Sequence, residues 1–317
     1  MRSLILCSCL LLGACAAQAP APAPRPAFPA DTEATSLFGE PLVSAALPAD
    51  VRARREAQLA EARAAMEAAP DDPDALIWLG RRTAYLGRYR EAIGVFSRGV
   101  LKFPQDARFY RHRGHRYITV REFDNAIEDL ATAARLIQGK PDEVEPDGLP
   151  NARNIPTSTL QSNIWYHLGL AHYLKGDFGK ALEAYRECLK VSNNPDMLVA
   201  TTYWLYSTLR RLDQEDEARA VLAPIRPDLE IIENEGYFRL LRMIQGELPA
   251  EDLLKDAAGD LDPPTLGYGI GNWHLYNGRR DEAAKAFRQV LAGGNWPAFG
   301  YVAAEADLKR MGERPRL

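Results

Sequence analysis

The sequence predicts an all-α solenoid of stacked helix pairs. Gly80 and Gly114 stand 34 residues apart, and so do Ala92 and Ala126. Two independent small-residue markers at one spacing indicate a structural repeat. Ser162 to Pro195 shows the unit most completely. One helix carries Trp165, Leu168, Gly169 and His172, the turn is Lys175-Gly176-Asp177, and a second helix carries Phe178, Ala181 and Tyr185. Gly169 and Ala181 are small where two helices cross closely, and the large residues fill the space beside them. One such unit cannot bury its own apolar face, so copies must stack against it.

Written as W-x2-L-G-x2-[aromatic] followed by A-x3-[aromatic], the unit resembles the tetratricopeptide repeat, a helix-turn-helix of 34 residues. The resemblance implies a right-handed superhelix whose first helices line a concave face. By periodicity it covers roughly residues 50–311.

Ahead of the repeats, Met1 to Cys15 has a lone Arg2, an apolar run from Leu4 to Leu12, and the ending Leu12-Gly13-Ala14-Cys15. The run is too short for a stable bilayer span. The ending resembles the lipobox of bacterial lipoproteins, which implies a leader over 1–15, lipidation at Cys15, and a membrane anchor. Ala16 follows the cysteine where an aspartate would favour inner-membrane retention, so the resemblance implies an outer-membrane lipoprotein facing the periplasm. An ordinary secretory leader cleaved near Ala17, giving a soluble periplasmic or secreted protein, is the alternative. Residues 16–48 read as a Pro/Ala-rich tether, extended rather than helical because proline cannot continue a helix. Within it, Asp31 to Leu47 lacks periodicity and reads as a poorly ordered lead-in.

Residues 49–72 read as an N-terminal capping helix, with Asp50 as N-cap. The solenoid spans 73–311 and leaves a tail at 312–317. Its first unit is Pro73 to Asp106 and its second Ala107 to Lys140. The step from Ala126 to Ala181 is then 55 rather than 34, which marks an insertion loop at 139–161. That loop is acidic and rich in Pro, Asn and Asp, so Asp142, Glu143, Glu145 and Asp147 read as solvated surface charge. In the fourth unit, Val199 to Arg226, Tyr206 replaces the crossing glycine and should push the two helices apart. Leu229 to Gln245 and Ala250 to Ala257 make a degenerate pair. Pro264 to Asn295 is the last full unit, and Phe299 to Met311 is a closing helix.

Composition excludes some functions. The net charge is −4 and the pI about 5.8, unlike a general nucleic-acid binder. Three of the four cysteines lie in the leader, so the body has no disulfide framework. HExxH, P-loop and GxSxG patterns are absent, and no catalytic residue, cofactor or metal is assigned. Gly267, Gly269 and Gly271 follow no strand and read as close helix approach. Cys188 reads as a small buried hydrophobe. His112 and His115 share a helix face without further ligands, and His172 and His274 take packing positions.

The tetratricopeptide resemblance places the candidate binding residues on the inner face of the first helices. These are Arg81 and Tyr85; Arg108, Arg111 and His115; Asn163, Tyr166 and Tyr173; Tyr203, Ser207, Arg210 and Arg211; and Tyr268, Asn272 and Tyr276. Arginine forks and tyrosine faces anchor peptide partners. The expectation is an envelope scaffold, not an enzyme, that binds an extended or acidic segment of a protein partner in the groove. The alternatives are a ligand-binding or enzymatic protein acting on cell-wall fragments, or a structural subunit of an outer-membrane assembly complex.

Overall fold

The computed structural model describes residues 28–257 and 263–315. The leader, Cys15 and the first part of the tether lie outside the described residues.

The helices come in antiparallel pairs. A single helix, α1 (Ala49–Ala68), packs on α2 (Pro73–Tyr85), which pairs with α3 (Tyr89–Lys102). Then come α4 (Ala107–Thr119) with α5 (Phe123–Leu136), and α6 (Leu160–Lys175) with α7 (Phe178–Val191). α8 (Pro195–Arg211) precedes the short α9 (Glu215–Ala220). α10 (Glu235–Ile244) and α11 (Ala250–Ala257) follow, then α12 (Pro263–Tyr276) with α13 (Arg280–Ala292), and finally α14 (Phe299–Arg310). No helix among the described residues is long and apolar enough to cross a membrane.

Local chemistry explains where the pairs begin and turn. Asp72, Asp106, Thr159 and Asn194 cap α2, α4, α6 and α8, each side chain accepting a first-turn N–H. Thr159 and Ser162 form a reciprocal capping box. α1 differs from expectation: Pro48 holds the N-cap position and Asp50 lies in the first turn, where its charge suits the helix dipole. Between the members of a pair the chain passes through a left-handed residue. Gly87, Gly176 and Gly278 fill that position at no steric cost, but Arg121 and Asp213 occupy it in the second and fourth units. Within a pair, Gly169 lies so close to Tyr185 that an added Cβ would sit 2.7 Å from the ring. The Gly267, Gly269 and Gly271 run likewise faces Val290, Leu240 and Phe287 in turn.

The fourth unit loses much of its second helix. α9 has six residues. Tyr206, at the crossing position, is buried and packs edge-on against Tyr276 instead.

The lead-in is ordered, contrary to expectation. Residues Thr32–Thr35 (β1) and Pro41–Val43 (β2) form an antiparallel hairpin. Its turn is held by Ser36, whose hydroxyl accepts from Phe38 and Glu40, with Gly39 in the left-handed region. The hairpin is ordered because it joins the two ends of the molecule. The indole N–H of Trp296 donates to the Val43 carbonyl at 2.7 Å, and its ring meets Tyr89 edge-on. Leu37 donates its N–H to Glu305 and accepts from Lys309. Glu305 also pairs at 2.9 Å with Arg121, which donates to the Trp296 carbonyl. The array therefore curls until α14 meets α6 and the α4–α5 turn. The final helix closes the superhelix laterally as well as capping its end.

Candidate functional site

Inner residues of α2, α4 and α6 turn toward a shared concavity that the insertion partly fills. The insertion folds into it. Val144 bridges Thr159 in antiparallel fashion, Glu145 donates its N–H to the Ser158 carbonyl at 3.1 Å, and Leu160 donates to Glu143 at 2.8 Å. The resulting irregular hairpin lays Glu145 to Gly148 along α2, α4 and α6.

The inner residues of those helices grip it. Arg111 Nε lies 2.9 Å from Glu145 Oε2, and Asn163 donates to the same oxygen at 3.1 Å. Arg81 donates to the Pro146 carbonyl at 2.8 Å, and Arg82 to the Gly148 carbonyl at 2.9 Å. Gly148 presses on Tyr85, where an added Cβ would stand 1.9 Å from the hydroxyl. The returning arm is held by Glu233, which accepts from Thr157 and Asn151, and by Asn194, which donates to the Thr157 carbonyl. The expectation of a solvated acidic loop thus holds for Asp142 and Glu143, which are exposed, and is corrected for Glu145, whose side chain is only 11% exposed. A carboxylate enters that deep because a guanidinium charge and an amide donor meet it there.

Beside the docked segment lies a cavity of about 400 Å³. Its lining includes Arg111, His115, Asn163, Tyr166, His167 and, from the start of α14, Phe299. A narrower pocket of about 160 Å³ adjoins it, lined by Arg81, Tyr85, Arg116, Glu145 and Asp147 among others. His115 and His167 stand with ring centroids 4.3 Å apart. Burial, and after it the surrounding arginines, push His112, His115 and His167 well below the usual histidine range. All three are therefore neutral at pH 7, which permits the close approach of two imidazoles. Arg116 stacks over Tyr89 and has no ion-pair partner among the described residues. Burial lowers its guanidinium to about 10, with Arg111 and Arg81 adding repulsion and the Tyr89 and Tyr85 rings opposing it.

The other candidate residues sit elsewhere. Arg108 pairs with Asp106 and Asp74 at the start of α4. Tyr173, Tyr203, Ser207, Tyr268 and Asn272 are buried in the core. The Tyr268 hydroxyl lies 2.9 Å from both the Tyr173 hydroxyl and Asp307. Asp307 is fully buried between Arg211 at 2.8 Å and Arg310 at 2.6 Å. Burial alone would raise its pKa, but the two arginines outweigh burial and hold the carboxyl below its usual range. Arg211 is therefore a structural ion pair and not a groove anchor. Tyr166 lines the cavity with one edge while its hydroxyl accepts from Trp204 at 2.7 Å. Arg210 stacks on Tyr276 at 4.5 Å, away from the insertion. The structure thus brings Arg81, Tyr85, Arg111, His115, Asn163 and Tyr166 to one place and leaves the rest apart.

Sequence reasoning missed Glu145, Arg116, His167 and Phe299. An acidic stretch inserted between two arginine-bearing first helices was a usable signal for the first. Phe299 reaches the cavity only through the curl, which no local pattern encodes. Cys188 is fully buried, its thiol pushed up to about 11 by burial. Among the described residues no group of three or more His, Cys, Asp or Glu is placed to hold a metal.

Residues 162–195 match the tetratricopeptide repeat family model. No curated protein matches the chain significantly. Among solved structures, a tetratricopeptide repeat protein from Parabacteroides merdae is 15% identical, covering 81% of this chain and 93% of its own, with a TM-score of 0.47. YrrB, a TPR protein with an unusual peptide-binding site, is 14% identical, covering 78% of this chain and 97% of its own, with a TM-score of 0.42. A MamA double mutant is 16% identical, covering 61% of this chain and 88% of its own, with a TM-score of 0.43. At these identities and TM-scores, the solved structures carry no argument about site or partner.

Proposed function

We propose that this chain, a helical-repeat protein carrying a tetratricopeptide repeat at 162–195, is a protein-interaction scaffold that holds an extended acidic segment of a partner on its concave face. One observation carries the reading: the face already holds such a segment. Arg81 donates to the Pro146 carbonyl at 2.8 Å and Asn163 to the Glu145 carboxylate at 3.1 Å, while Arg111 holds the same carboxylate as an ion pair at 2.9 Å. Donors of that kind, fixed on rigid helices, recognise a carboxylate and an extended backbone together. Arg116 supports the reading, since it lines the same pocket and has no ion-pair partner among the described residues. The lipobox-like ending at Cys15 and the Pro/Ala-rich tether support an envelope location, with the scaffold held near the periplasmic face of the outer membrane.

The test is a crosslinked pull-down from native membranes with full-length protein. Arg116→Glu should reduce capture of the partner about ten-fold, since it reverses a charge in a desolvated pocket. Arg54→Glu, an exposed site on the outer surface of α1, should leave capture unchanged. Equal capture by both variants, each with native circular dichroism, would refute the concave face as the binding site.

A further inference from the structure

We infer that residues 142–148 of the insertion are a built-in competitor, an intramolecular mimic that a partner segment must displace. The inference rests on the concave-face reading above and adds its regulation. It begins from an inversion of ordinary loop chemistry. The insertion buries the Glu145 carboxylate against Arg111 and Asn163, yet leaves Val144, Leu149 and Ile155 exposed. A loop evolved only to fill space would turn its apolar side chains inward.

The manner of docking is also that of a ligand. Most of the grip on 145–148 comes from α2, α4 and α6 through arginine and asparagine donors, to one carboxylate and two carbonyls. Carbonyl contacts read no side chain, so any extended segment with an acid at the right place can make them. The hairpin arms meet through one isolated bridge at Val144 and Thr159, two flanking backbone hydrogen bonds, and two bonds from Gln161 to Asp142 and Lys140 at the base, so beyond Glu145 the segment relies on the clamp. An acid-Pro-acid order, Glu145-Pro146-Asp147, is the chemistry the partner segment should share.

Two substitutions loosen the mimic by different means. Glu145→Gln removes the charge that pairs with Arg111 while keeping the shape and the acceptor for Asn163. Gly148→Val leaves every charge in place but collides with Tyr85, so it forces the segment away sterically. The probe is a fluorescein-labelled synthetic peptide of residues 140–149, titrated by fluorescence polarisation against full-length protein. An occluding segment docked about nine-tenths of the time weakens apparent affinity about ten-fold. Both variants should therefore bind the peptide tighter than the wild type, by up to about ten-fold where the segment is fully released, and adding Arg116→Glu should reverse the gain.

Peptide binding that is no tighter in the folded Gly148→Val variant than in the wild type would overturn the inference and make the insertion a fixed part of the wall. If Arg116→Glu still lowers capture of the membrane partner in that case, the concave-face reading stands and only its regulation falls. If capture is also unaffected, both fall.

Discussion

Arg121 carries more of the structure than its position in a turn suggests. It occupies the left-handed slot that glycine fills in neighbouring units, with φ +67°. A non-glycine residue there costs about 1 kcal/mol. Its return is a fully buried pair with Glu305, plus hydrogen bonds to the Thr119 and Trp296 carbonyls. Removing one member of a buried pair costs about 3–5 kcal/mol, because the other charge is left without a partner. Arg121→Gly should thus relieve the backbone yet lower stability by about 2–4 kcal/mol in urea denaturation; a gain in stability would contradict the closure described here. The histidines make a second residue-scale prediction. His112, His115 and His167 are held neutral, with pKa values below the ordinary 6.5. The unfolded chain takes up protons there first, so stability is full above about pH 6.5 and falls as pH drops below it, by up to about 1.4 kcal/mol per pH unit for each histidine. Denaturation at about pH 7.5 and about pH 5.5 should show the loss, and His115→Gln should reduce it by about a third. The glycines at the crossings were legible because small-against-large contacts recur with the repeat. Arg121 was not, since its partner lies 184 residues away and nothing local marks the pairing.

Elements differ in how far the sequence revealed them. The helix pairs follow from periodicity and caps, and α10 and α11 fall where a degenerate pair was expected. The β1–β2 hairpin was not legible, because four- and three-residue strands carry no pattern and exist here through contacts with distant partners. Trp296 is the chief of these. Trp296→Ala removes the hydrogen bond to Val43 and the edge contact with Tyr89, and should cost about 3–5 kcal/mol. Hydrogen exchange over 32–43 should accelerate in that variant; unchanged protection would show that the hairpin stands without it. The insertion was legible as an element from its acidic, proline-rich composition, but its docking was not. Docking depends on which way the neighbouring first helices face, and the expected groove residues Arg81, Arg111 and Asn163 became visible as its clamps only in three dimensions.

At the scale of the whole molecule, curvature decides what the candidate site is. Each helix pair turns slightly on the next, and such small rotations accumulate along a solenoid. Here they bring α14 back to α6, so Tyr173, Tyr203, Tyr268 and Asn272 become core while Arg111, His115 and Arg116 remain around a cavity. The expected inner-face positions thus divide between core and cavity according to how far the array curls, which repeat spacing alone does not encode. The tether makes a separate prediction at this scale: Cys15→Ser should release the protein from the membrane fraction, and unchanged fractionation would contradict lipidation. The most direct measurement concerns the cavity itself. A photo-crosslinking amino acid placed at Ala298, on the cavity wall, is compared with one at Leu101, which is 84% exposed on the outer surface. A partner held on the concave face should crosslink in native membranes from position 298 and not from 101, and more strongly when Gly148→Val has freed the clamp. Crosslinking from 101 with none from 298 would contradict the account.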